Sequence, residues 1–151
     1  MTPRPLLPLG PLCLERMVLA VEKVRERLLR ATAALEAAAV PYAVIGGNAV
    51  AVWVARVDVG AVRNTADVDI LLRRLDLTAA TDALAGADFI RCEVAGVEMF
   101  LDGPTAGPRD ALHVIFAGEK VRPDYLLPAP DVTEAEQGDR YRVLNLDALV
   151  R

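Results

Sequence analysis

Cysteine is nearly missing from this chain: Cys13 and Cys92 are the only two, and neither has a partner at metal-ligand or redox spacing. Both are expected to be buried or incidental rather than paired. Long apolar runs are missing too. Hydrophobic residues make up 54% of the sequence and the mean hydropathy is +0.30, yet charges interrupt every stretch before the roughly 18–20 residues that a membrane span needs. Excess positive charge is also lacking: 17 basic against 21 acidic residues give a net charge of -4. That balance excludes broad electrostatic adhesion to nucleic acid and leaves room only for a local basic patch. The leucines after Arg4 imitate a secretory leader, but Pro8 and Pro11 break them and a charged helical pattern follows. Residues 1–14 are therefore expected to be a disordered lead, and 15–151 one domain in the cytoplasm, since 151 residues bury one sizeable core. Lysine is confined to Lys23 and Lys120 while arginine and alanine abound, a bias that points to a GC-rich bacterial genome.

What is present is a sequence of alternating patterns with no internal repeat. From Glu15 to about Ala38, Met17, Val21, Val24, Leu28, Ala31 and Leu35 recur on one helix face, and Pro41 ends the run. Opposite them Arg16, Lys23, Arg27 and Arg30 alternate with glutamates and read as a solvated face. "YAVIGG" is a short buried strand closing in a glycine turn. "NAVAVWVARV" is ambiguous: its valines and Trp53 lean to strand, with Trp53 in the core, whereas Asn48 is a good helix N-cap. "ADVDILLR" is a strand, "LDLTAATDALAGAD" a helix capped by Thr78 and closing near Gly86, "FIRCEVAGVEMFLD" a hairpin, and "ALHVIFAG" another strand. The proline-rich stretch from Glu119 is mostly loop with one short strand near its end, and "LNLDALVR" begins a helical pattern. The fold class this predicts is α/β (α+β), a mixed sheet with helices packed on it.

Charge sits in an unexpected place. Asp67 and Asp69 stand at i and i+2 on the predicted strand, so both side chains leave the same face, about 6–7 Å apart along the backbone. Brought to about 4 Å, two such charges repel by roughly 4 kcal/mol at a typical effective dielectric. A divalent cation is the simplest neutraliser, and Mg²⁺ is commonly held by one or two carboxylates plus substrate phosphates. Gly46 and Gly47 lie upstream, where bare backbone and the N–H groups of a helix start can approach phosphate oxygens, with Asn48 beside them.

The order strand, Gly46-Gly47, helix, Arg63 and Thr65, then Asp67-x-Asp69 resembles the minimal nucleotidyltransferases of the DNA polymerase beta-like superfamily, including its toxin-antitoxin and phage-defence members. The resemblance covers "IGGNAVAVW", "RNTADVDIL" and, more loosely, "HVIFAGEKVR". It implies a nucleoside triphosphate held at Gly46, Gly47, Asn48, Arg63 and Thr65, with Mg²⁺ or Mn²⁺ bridged by Asp67 and Asp69. The activity implied is transfer of a nucleoside monophosphate to an acceptor such as RNA, a protein or a small molecule. The family places a third carboxylate on a later strand. Here that position is His113, a poor ligand for Mg²⁺, acceptable to Mn²⁺ or Zn²⁺, and able to act as general base. Glu98 or Asp102 on the neighbouring strand is the alternative third acid. The rival reading is a silent module of the same fold that binds nucleotide or a partner protein, as an antitoxin-like regulator does, with a partner or second subunit covering its surface.

Overall fold

This computed structural model describes residues 11–63 and 65–150, with side chains from residue 14 onward. In chain order it runs α1 (Pro11–Ala37), β1 (Tyr42–Ile45), α2 (Gly46–Val57), β2 (Val68–Leu72), α3 (Leu77–Ala85), β3 (Phe89–Val94) and β4 (Val97–Asp102). It continues through β5 (Ala111–Phe116), β6 (Ala135–Gln137), β7 (Arg142–Leu144) and α4 (Leu146–Leu149). The seven strands form one sheet in the order β3-β4-β5-β2-β1-β7-β6. Only β1 with β7 and β2 with β5 run parallel, so the sheet is mixed, with helices packed on it as the alternation of patterns predicts.

The two faces differ. On one, Tyr42, Val44, Val68, Ile70, Leu72, Leu112 and Phe100 meet Leu28, Ala31 and Leu35 of α1 and Leu77, Ala80 and Leu84 of α3 in the main core. On the other, Ala43, Ile45 and Leu71 pack under Val132, Leu144 and Ala148 in a smaller cluster. This second face also carries Asp69 and His113, which are opposite each other in the register.

The helix expected from Glu15 starts at Pro11. Residues 11–14 are thus its first turns, while residues 1–10 of the expected lead lie outside the described residues. Its apolar face is not buried throughout. Leu28, Ala31 and Leu35 are covered, but Met17 is 55% and Val21 40% exposed. Length explains this: 27 helical residues reach about 40 Å, twice the roughly 20 Å of a six-residue strand, so the first half overhangs the sheet.

The lean of "NAVAVWVARV" to strand is overturned, because the segment is the body of α2. Nor is Asn48 the N-cap. Ile45 holds that position without a side-chain bond, and Thr78 likewise lies inside α3, where Asp76 stands at the N-cap position, also without a side-chain bond. Trp53 is half-buried rather than core: its indole N–H donates to the Leu144 carbonyl at 2.9 Å, and the Arg56 guanidinium lies over its ring. The solvated face holds at Arg16 and Lys23 but not at Arg27 and Arg30. Arg27 is 4% exposed and donates to Asp102 at 3.0 Å, and Arg30 donates to the same carboxylate at 2.6 Å. Cys92 is a free, half-buried thiol, and the Cys13 side chain lies outside those described. Among the described residues no helix is long and apolar enough to cross a membrane.

Candidate active site

The site begins where β1 turns into α2. Gly46 takes φ +68°, in the left-handed region that side chains resist, and a Cβ added there would run into the Asp69 carboxylate. Both facts demand glycine. Gly47 is nearly as confined, since its added Cβ would meet the Thr65 side chain at 3.0 Å. The first amides of α2, unpaired within the helix by geometry, therefore open beside an acid.

Two polar side chains lace the strand entry to this turn. Asn48 Nδ2 donates to the Asp67 carbonyl at 2.8 Å, and the Thr65 hydroxyl accepts from the Asp67 amide at 3.2 Å. Asn48, rather than capping its helix, fixes the segment that presents Asp67. Asp67 is exposed and Asp69 partly buried. Burial lifts the Asp69 carboxyl above its ordinary value; His113 opposes the rise, and the charge of Asp67 adds to it. Asp67 lies just before β2 rather than on it, so the shared strand face expected of the pair does not form, and Asp67 reaches Asp69 through its charge.

β5 brings His113 against Asp69, with Nδ1 3.6 Å from Oδ1 and Nε2 3.1 Å from the Pro108 carbonyl. Neither candidate third acid faces the Asp69–His113 pair, although Glu98 borders the cavity that the pair opens into. Met99 is the register partner of His113, so Glu98 and Asp102, at odd offsets from it, leave the opposite face of the sheet. Each is also engaged by arginine: Glu98 accepts two bonds from Arg91, and Asp102 is held by Arg27 and Arg30.

A cavity of about 650 Å³ extends from Asp69 and His113 past Met99, Val97 and Ile115 to Lys120, a size typical of small-molecule sites. Lys120, in the stretch read as mostly loop, is exposed and borders this groove. Arg63 lies apart. With Asn48 and Thr65 it lines a separate cavity of about 630 Å³ between α1 and α2. Among the described residues no three histidine, cysteine, aspartate or glutamate side chains are grouped to hold a metal by themselves. The donor set fits a cation that arrives with phosphate oxygens and uses protein carboxylates for part of its shell.

No protein-family model and no curated protein matches the chain. Among solved structures, ANT(2″)-Ia in complex with adenylyl-2″-tobramycin is similar at 16% identity, with a TM-score of 0.47 over 89% of this chain and 72% of that one. A likeness of that degree settles neither chemistry nor substrate.

Sequence reasoning paired the glycines with the acids but gave no sign of the anchor on the far side of His113. Pro108 reaches the ring through its backbone carbonyl, and a carbonyl leaves no signature in residue type.

Proposed function

We propose that this protein is a metal-dependent nucleotidyltransferase that moves a nucleoside monophosphate from a triphosphate to an acceptor. The observation that carries the reading is the closeness of Gly46 to Asp69, a glycine required by both backbone and space beside a partly buried carboxylate. In this reading the amides of Gly46 and Gly47 hold the triphosphate, and Asn48 and Thr65 fix the approach to the acids. Asp67 and Asp69 hold Mg²⁺ or Mn²⁺. When bound, such ions activate the attacking oxygen and stabilise the leaving one. The acceptor oxygen then forms a bond to the α-phosphorus, the bond to pyrophosphate breaks, and the acceptor's proton leaves for a base. A neutral His113 can take that proton or lend its lone pair to a metal, but not both at once.

The acceptor lies along the groove toward Ile115 and Lys120, whose volume suits a small molecule or one exposed group of a larger one. The test is pyrophosphate release from each triphosphate with Mg²⁺ or Mn²⁺. Turnover that disappears in Asp69→Asn supports transfer. One observation favours the second reading, a module that binds nucleotide or a partner protein without turnover: the β5 position facing Asp69 is a histidine rather than an acid. Metal-dependent nucleotide binding with no pyrophosphate release selects it.

A further inference from the structure

The cavity between α1 and α2 lies apart from Asp69 and His113, and its lining joins two unlike chemistries. Val24 and Leu28 of α1, Ala51, Val52 and Ala55 of α2 and Val143 of β7 give it apolar walls. Around them stand Arg25, Arg56, Arg63 and Arg140, against a single lining acid, Asp139. The chain as a whole holds more acids than bases, 21 to 17, so this gathering of positive charge runs against its composition. Arg56 is engaged, paired with Glu136 at 3.0 Å and stacked over the Trp53 ring. Among the described residues Arg25, Arg63 and Arg140 have no carboxylate at ion-pair distance. The Tyr141 hydroxyl, on the turn between β6 and β7, has no hydrogen-bond partner among them either. Burial raises its pKa and the charge of Arg25 opposes the rise, which sets that guanidinium near it.

We infer that this cavity is a second binding site, distinct from the groove at Asp69, for a small organic phosphate: an apolar or aromatic body that carries a phosphate monoester. Such a group has close to two negative charges at neutral pH and three acceptor oxygens, and guanidinium forks donate to those oxygens in pairs. A cleft lined by charge of one sign concentrates counter-ions. The volume of about 630 Å³ falls in the range of small-molecule sites, and the apolar walls reward an organic body while offering nothing to a bare hydrated ion. Arg25, Arg63 and Arg140 are exposed, so the phosphate sits at the mouth beside them and the Tyr141 hydroxyl, and the body points inward. The site goes beyond the transfer reading and stands whether or not that reading holds.

Calorimetry on the full chain without added metal tests it with naphthyl phosphate, inorganic phosphate and naphthol. Naphthyl phosphate is expected to bind at least about tenfold more tightly than either fragment, because burial of the ring adds to the ionic contacts. Arg25→Ala and Arg140→Ala, both at exposed positions, should each weaken it by about tenfold. Ala55→Leu keeps a good helix former in α2 while filling the cavity, so it should abolish binding, with a melting curve to show that the variant is folded. Asp69→Asn should bind the probe as the parent does. Inorganic phosphate held as tightly as naphthyl phosphate would reduce the site to surface charge and overturn it. Naphthol held as tightly would remove the arginines from recognition and overturn it as well. So would the absence of binding at millimolar naphthyl phosphate, or an affinity unchanged in both arginine variants. Loss of binding in Asp69→Asn would put the probe in the transfer groove and refute the second site alone, leaving the transfer reading untouched.

Discussion

At the scale of single residues, Asp69 and Gly46 carry opposite costs. Asp69 has a carboxyl pKa raised by burial, with Asp67 adding to the rise against His113. A raised pKa means that the folded chain binds a proton more readily than the unfolded one. Stability therefore falls as pH rises from the ordinary carboxylate range through the folded value. Asp69→Asn removes that charge, so the metal-free variant should melt no lower than the parent at pH 7 and match it near pH 3, while losing pyrophosphate release. Thermal melts at the two pH values check it, and a large drop at pH 7 would show that Asp69 holds the fold together. Gly46→Ala should do the reverse. A residue held at φ +68° costs on the order of 1–3 kcal/mol, and the new methyl displaces the Asp69 carboxylate. Urea denaturation should show a loss of about that size, with nucleotide affinity falling alongside. Gly47→Ala, which meets only the Thr65 side chain, should lose less on both counts.

Elements show why only part of this was legible beforehand. The strands β1, β2, β4 and β5 were readable because their apolar residues alternate or run unbroken between turn residues, whereas setting the glycine turn beside the acids came from the family resemblance and not from spacing. α2 was not, since its valines and Trp53 favour a strand in isolation. What decides is tertiary: Trp53 bonds Leu144 of β7, and Asn48 bonds the backbone before β2, so the segment crosses the strand ends as a helix. The third-acid candidates failed for a related reason. Face assignment on β4 depends on register with β5, and register comes from long-range pairing. The same register explains the Arg27 and Arg30 clamp on Asp102. Burial works against that carboxylate, but Arg30 and Arg27 outweigh it and hold its pKa below the ordinary value. The clamp's contribution is therefore present above the unfolded pKa and is lost as pH falls through the lower folded one. Arg27→Ala leaves Asp102 with one partner fewer beside a nearly closed face. Because Arg30 still pairs Asp102, the loss should be about 1.5–3 kcal/mol, that of a hydrogen bond to a charged group, measured by urea melts at pH 7 and shrinking toward pH 3.

For the whole molecule, helices fill one face of the sheet and loop and α4 cover part of the other, leaving open the half where β2, β5 and β4 line up Asp69, His113 and Met99. An open face that carries partly buried charge is under-stabilised until something binds. Ligand binding to the folded state alone contributes RT ln(1 + [L]/Kd), about 2.7 kcal/mol at a hundredfold excess over Kd. For a domain of this size that raises the midpoint by roughly 5–11 °C. Triphosphate with Mn²⁺ should therefore raise the melting temperature by several degrees, and triphosphate or Mn²⁺ alone by clearly less, because phosphate oxygens and protein carboxylates complete the cation's shell only together. In Asp69→Asn the joint shift should vanish, although that variant melts no lower to begin with. A shift produced equally by metal-free triphosphate would place the nucleotide away from the acids, in the cavity that Arg63 lines between α1 and α2, and would remove Asp69 from its recognition.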